Sequence, residues 1–327
     1  MNPALPPALK IRIEKLVQGV SRKDLAARAA AISQTYRAGR GSATTITDEM
    51  SVIAYVLSRL PATYAVAAAV FAATNEAAPD FIPNSLLDVG AGPGTASWAA
   101  TQIWPELEQV TMTDPNFAFL ALAKTLATGS DHVALSCAAF VTHDLLSGVR
   151  LKKSDLVTAS FVLAEIADPK LTDIVAQLWA AANQVLVLIE PGTPAGFARV
   201  RMARDWLIAQ GAHALAPCTH ESVCPIAGSD WCHFSQRLPR SRDHLKMKRA
   251  SVPFEDERYA YVVVTRRAVS RANIARIIAP PEESKAGVTL PLCAETGLNR
   301  AFVARRQRDI YVLIRKARWG DTILAAD

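Results

Sequence analysis

The stretch 86-LLDVGAGPGTAS-97 sets three glycines at alternate positions between an apolar run and a helix-forming segment. No other part of the chain narrows the fold as much. Glycine tolerates backbone angles closed to residues with a Cβ, so Gly90, Gly92 and Gly94 permit a sharp strand-to-helix turn that can lie against a ligand. A helix beginning near Thr95 would aim its unpaired amides at the same space. Around this turn, short apolar runs alternate with helical segments. Residues 85–90, 109–114, 155–160 and 185–190 read as buried parallel strands, with 137–144 as a weaker fifth. Residues 95–105, 116–129 and 169–183 read as the intervening helices, and 197–210 as a further helix after a Pro/Gly break. The alternation predicts an α/β, Rossmann-like sheet with helices on both faces.

A dinucleotide fingerprint, G-x-G-x-x-G, would need glycine at position 95, where the chain has Thr95. The turn instead resembles the first motif of the class I S-adenosylmethionine (SAM) methyltransferases, D-x-G-x-G-x-G. The resemblance implies that Asp88 orients the methionine end of SAM, while Gly90, Gly92, Gly94 and Thr95 wrap it. Asp114, ending the second strand, would accept hydrogen bonds from the ribose hydroxyls, and Asp144 would contact the adenine amino group. A nicotinamide dinucleotide is the competing ligand, and an ordinary structural turn the blandest alternative. The acceptor side is less defined. Residues 158–168, TASFVLAEIAD, lack the N/D-P-P-Y/F motif of many base-amino methyltransferases. Phe161 is a candidate stacking residue there, and Glu165 and Glu190 are candidate acceptor-side bases.

The flanks differ from this core. Residues 1–82 read as an N-terminal helical region: apolar residues recur at three- and four-residue spacing, and Pro61 opens an Ala-rich helix. Residues 83–211 hold the SAM-binding Rossmann-like domain. Residues 212–327 form a cysteine-bearing, strand-rich and basic extension, with strands expected at 259–267, 274–280, 301–306 and 310–317 that extend or append to the sheet. From Phe234 onward there are 19 Lys/Arg against 10 Asp/Glu, whereas residues 1–233 hold 17 against 20. A one-sided basic segment is either a solvated surface or a footprint for the phosphates of nucleic acid. Arg237, Arg240, Arg242, Lys246, Lys248 and Arg249 are the nearest candidates. The most apolar patch, 64–73, is too short to span a bilayer, so no membrane is expected. The opening residues show neither a secretory h-region nor an Arg/Ser-rich presequence, which gives the expectation of a bacterial cytoplasm.

Without a secretory route, cysteines point to metal or to buried thiols. Three of the five lie in 218-CTHESVCPIAGSDWC-232, and a fourth is Cys293. The C-x5-C-x7-C spacing is wider than the usual zinc knuckle, and by spacing alone zinc and a [4Fe–4S] cube stay near even. His220 and His233 are nearby substitutes or supporting donors. Cys137 reads as a small buried hydrophobe. The runs 216-APCTHESVCPIAGSDWCHFSQR-237 and 252-VPFEDERYAYVVV-264 closely resemble the mitochondrial small-ribosomal-subunit methyltransferase-like family and its bacterial relatives. So do 52–66, 186–194 and 315–321, so that the likeness runs from about Ile46 to Asp321. The resemblance implies a [4Fe–4S] cluster on Cys218, Cys224, Cys232 and Cys293, a SAM site, and work on the small ribosomal subunit or its 16S-type RNA by methylation, assembly or both. It implies no particular acceptor base. A non-catalytic assembly factor that keeps the fold is the second hypothesis, with zinc in place of the cluster as a variant. Radical-SAM chemistry is disfavoured, because no C-x3-C-x2-C triad is present.

Overall fold

The computed structural model describes residues 4–37, 45–248, 250–269 and 273–324. The N-terminal region forms α1 (Pro7–Leu16), α2 (Arg22–Arg37), α3 (Glu49–Ser58) and α4 (Leu60–Ala77). Asp48 caps α3 by accepting the Ser51 N–H at 2.7 Å. Pro61 sits in the first turn of α4, where a missing N–H costs nothing. The alanines of α4 let α5 and the sheet approach closely, so this helix is buried along most of its length. Among the described residues no single helix is long and apolar enough to cross a membrane.

Strict alternation inside the strands builds the centre. Strands β1 (Ser85–Val89), β2 (Gln109–Asp114), β3 (Ala139–Thr142), β4 (Ser154–Ser160) and β5 (Ala182–Pro191) run parallel in the order β3-β2-β1-β4-β5. They are linked by α5 (Thr95–Ile103), α6 (Phe117–Ala127), the short α7 (Val133–Ser136) and α8 (Leu171–Ala181), and α9 (Pro194–Ala209) follows β5. Leu86, Val185, Val187 and Ile189 enter a core shared with α3 to α6, whereas Leu87, Leu186 and Leu188 enter a second core under α8 and α9. Successive side chains point to opposite faces, so both faces are covered, as expected of a parallel sheet. Cys137 departs from expectation. The weak strand begins only at Ala139, and Cys137 is exposed at the end of α7 rather than buried.

The main sheet continues past residue 212. Beyond β6 (His213–Ala216), β7 (Phe234–Pro239) and α10 (Arg242–Lys248), the long β8 (Phe254–Thr265) pairs antiparallel with β5. The opposite edge of β8 carries β6 near Val263 and β7 from Tyr259 outward. The segment 217–233 therefore leaves and re-enters the sheet along one strand. The remaining strands form a second sheet instead of extending the first. It comprises β9 (Ile274–Ile277), β10 (Glu282–Glu283), β11 (Gly287–Ala294) and β12 (Gly297–Ala304), followed by α11 (Arg308–Ile314) and β13 (Thr322–Leu324). Its order is β10-β11-β9-β13, with β12 on the other edge of β11. The strand expected at 310–317 is helical. Tyr311, Ile314 and Ala317 recur at threefold spacing against the core of this sheet, and that period outweighs the β-branched content of the run.

Candidate cofactor site and cysteine cavity

The turn after β1 holds three consecutive left-handed glycines, with φ of 64° at Gly90, 53° at Gly92 and 82° at Gly94. Space demands glycine as well as angle. A Cβ on Gly90 would stand 2.3 Å from Val162 Cγ2, and one on Gly94 would stand 3.0 Å from Met112 Sδ. Two carboxylates brace the turn. Asp114 accepts the Gly92 N–H (2.9 Å) and the Asn116 N–H (2.8 Å), and Asp88 accepts both the Ser97 N–H (3.0 Å) and its hydroxyl (2.8 Å). Burial pushes Asp88 up to about 7 and Asp114 up to about 6, against the lowering effect of those hydrogen bonds.

A cavity of about 460 Å³ opens beside the turn, within the size range of small-molecule sites. Gly90, Gly92, Asp114 and Asp144 line it, and Asp144 also caps the turn at 145–147 by accepting the Leu146 N–H at 2.8 Å. Asp88 and Thr95 line a smaller adjoining cavity. Gly94 lines neither and serves the turn alone. Several wall residues escaped the sequence reading. Tyr55 reaches in from α3 and meets Phe119 edge-on at 5.0 Å. Asn116 lines the wall while its side-chain amide donates to the Ile46 carbonyl (2.7 Å), fastening the helical region to the rim. Phe117 stands 74% exposed at the mouth. Asn116 had a local signal, an Asx cap two residues beyond Asp114, but Tyr55 is too distant in sequence for one.

The acceptor-side candidates separate. Glu165 lines the cavity beside Phe161, which adopts φ 63°, a strained conformation for a non-glycine residue. Glu190 does not line it. It is fully buried, accepts from Arg199 Nε (2.8 Å) and the Ala164 N–H (3.3 Å), and so anchors the turn after β4.

The four expected cysteine ligands come together. Cys218, Cys224, Cys232 and Cys293 line one cavity with Arg204, His220 and Arg276. Arg204, 3% exposed, donates through Nε to Cys218 Sγ (3.3 Å) and through its other nitrogens to the carbonyls of His220 and Ser222. Arg276 holds the Pro217 carbonyl (2.8 Å), and Thr219 Oγ1 donates to the Cys293 carbonyl (3.4 Å), joining the loop to β11. His220 Nε2 lies 3.5 Å from Cys293 Sγ. His233 is engaged elsewhere, stacked on Trp231 and edge-on to Trp319. Burial, reinforced by neighbouring sulfurs, pushes Cys293 up to about 12 and raises Cys224 and Cys232. Among the described residues no three His, Cys, Asp or Glu side chains converge tightly enough to hold a single metal ion, so the thiols surround a space rather than a point.

The basic candidates are largely spoken for. Arg237 pairs with Asp256 and lies over the Phe254 ring, and Arg240 and Lys248 both pair with Glu255. Arg242 and Lys246 are exposed, and Arg249 lies outside the described residues.

The strand order with a glycine turn after β1 and acids after β2 and β3 defines a class I methyltransferase fold. The family model described as "Mitochondrial small ribosomal subunit Rsm22" matches residues 49–324, and the chain belongs to that family. It is 29% identical over 300 residues to the human "Ribosome assembly protein METTL17, mitochondrial", covering 85% of this chain and 63% of that protein. It is 28% identical over 337 residues to the fission yeast "Rsm22-cox11 tandem protein 2, mitochondrial", covering 86% and 44%. The chain thus spans less than two thirds of the length of these relatives. Among solved structures, a putative RNA methyltransferase of Pyrococcus horikoshii aligns with TM-score 0.41 and 14% identity over 65% of this chain and 87% of that one. The mitochondrial family and relatives overturn the expectation of a bacterial cytoplasm. That expectation rested on the opening residues, which carry no weight in a chain spanning only part of its relatives.

Proposed function

We propose that the chain is a SAM-binding factor that works on the small ribosomal subunit in mitochondria, with a [4Fe–4S] cluster held by Cys218, Cys224, Cys232 and Cys293. The observation that carries this reading is the coincidence, inside the family-matched span, of a cofactor-sized pocket braced by Asp88 and Asp114 and a cavity walled by four thiols. In the pocket, Asp114 retains lone pairs for ribose hydroxyls, Asp144 faces the adenine end, and Asp88 sits at the methionine end. Bound SAM supplies an electrophilic methyl group, and the protein's part in any transfer is positioning.

In the second cavity the geometry favours a cube over zinc. A single zinc needs Zn–S distances of about 2.3 Å, hence sulfurs about 3.8 Å apart, and no such convergence exists among the described residues. Four sulfurs around a space suit the larger group, and the buried Arg204 offsets negative charge there. Bound, the cluster supplies a cross-link between the 217–233 loop and β11.

Assembly rather than catalysis is favoured on the acceptor side. The segment after β4 lacks a base-amino acceptor motif, and Glu190 is locked in an ion pair. The test is incubation of the anaerobically purified chain with immature small subunits and methyl-labelled SAM, with iron and sulfide measured in parallel. SAM binding and about four irons with four sulfides per chain, without label in RNA, is the expected result. Label at one base would establish methyl transfer. Absence of SAM binding, or about one zinc and no iron, would remove the corresponding half of the reading.

A further inference from the structure

The second sheet has one covered face and one face covered only at one end. On β12, Val303 and Ala301 point into the core beneath α11, while Leu298, Arg300 and Phe302 alternate onto the opposite face. Cross-strand register places Leu298 beside Cys293, Arg300 beside Pro291, and Phe302 beside Thr289. The loop bearing Cys218 and Thr219 covers the Cys293 end through the Thr219–Cys293 contact. The other end is bare. Leu298 is 49% exposed and Phe302 52%. The Phe302 ring reaches across Gly287, where a Cβ would stand 2.9 Å from Cζ, so the ring rests on backbone with an open outer side.

Charge identifies what this surface suits. The basic residues of β7 and α10 are mostly neutralised by Glu255 and Asp256. Arg300 itself pairs with Glu282 at the rim. Beyond the strand, Arg305, Arg306, Arg308 and Arg315 are exposed, and among the described residues none of them has an ion-pair partner. Unneutralised cations beside an aromatic laid on a sheet match one ligand chemistry, a phosphodiester chain with its bases unstacked. Bases pack on aromatic rings while arginines track the phosphates. A duplex keeps its bases stacked inside and offers a flat ring nothing to bind.

We propose that the bare end of this face, built on Phe302 with Leu298 and flanked by Arg305 and Arg306, binds an unpaired segment of RNA by stacking. The proposal rests on the RNA-contacting part of the function proposed above and adds where and in what state the RNA is held. Binding of a labelled single-stranded oligouridylate, and of an RNA duplex of equal length, to the full chain over a salt series tests it. Phe302→Ala should weaken single-strand binding about 5- to 150-fold, the range for one base left unstacked, while leaving duplex binding and the salt slope unchanged. Phe302→Leu, which keeps Gly287 covered but removes the ring, should weaken it as much, and Phe302→Trp should restore it. Changing Arg305 and Arg306 together to Ala should reduce the salt slope by about 0.7 for each phosphate no longer neutralised. If Phe302→Leu or Phe302→Ala binds like the parent, the stacking surface is wrong and the RNA reading survives. If the parent binds neither RNA, both fail. A photocrosslinker at Leu298 that captures a ribosomal protein instead of RNA in small subunits would also overturn the proposal.

Discussion

Asp88 and Asp114 are the residues on which the cofactor reading turns, and both are held by burial above the ordinary carboxylate range. Asp114 must be ionised to accept ribose hydroxyls, so SAM affinity should fall as pH drops through about 6. Asp114→Asn should lower affinity about 10- to 150-fold at neutral pH, the span of a charge-assisted hydrogen bond worth about 1.5–3 kcal/mol, as read by calorimetry. Asp88 bears on stability as well. Its folded value of about 7 exceeds the ordinary 3.8. Between those values the folded chain keeps a proton that the unfolded chain has released, so the cost of Asp88 grows as pH rises from about 4 to about 7. Asp88→Asn keeps an acceptor for Ser97, and its melting temperature should vary less over that range while SAM binding weakens. Gly90→Ala meets both a left-handed φ and Val162, and should cost roughly 1–3 kcal/mol in chemical denaturation. Adding Val162→Ala should relieve the clash but not the backbone strain.

Among the elements, α3 ties the cofactor pocket to the extension. Tyr55 lines the pocket, and one turn on, Arg59 donates to Glu257 on β8 at 2.9 Å in a largely buried pair. Arg59→Ala leaves Glu257 without its cation and should destabilise the chain by about 2–4 kcal/mol, measurable by denaturant titration. The central strands and their helices were legible because their apolar periods are local. The glycine turn was legible because the same residues solve both the angle and the close approach. The α11 segment was misread because Ile310, Val312 and Leu313 suggest a strand, although they lie exposed on a helix. The pairing of Arg59, Arg237, Arg240 and Lys248 with the acids of 255-EDE-257 was invisible, since each pair joins segments that meet only when β8 enters the sheet. The charge count therefore located basic residues correctly but not which of them remain unneutralised.

At the scale of the whole molecule the two cavities are separate. Every wall residue of the SAM-sized pocket comes from 46–166, and every wall residue of the cysteine cavity from 197–293. Cys218→Ser should therefore leave SAM affinity within about twofold while making 217–233 and the second sheet more sensitive to protease, because four-ligand sites add folding free energy, about 10 kcal/mol or more in small domains. Unchanged proteolysis would mean that the Thr219–Cys293 and Arg276–Pro217 contacts suffice to hold the loop. The two ends of that loop sit on a single strand, Ala216 opposite Val263 and Phe234 opposite Tyr259. Four residues of strand separate those anchors, about 13 Å. The segment is in that sense a cassette. A loop of another length or ligand set could be spliced between the same two posts without moving β1 to β5, so diversification of this corner need not disturb the cofactor pocket.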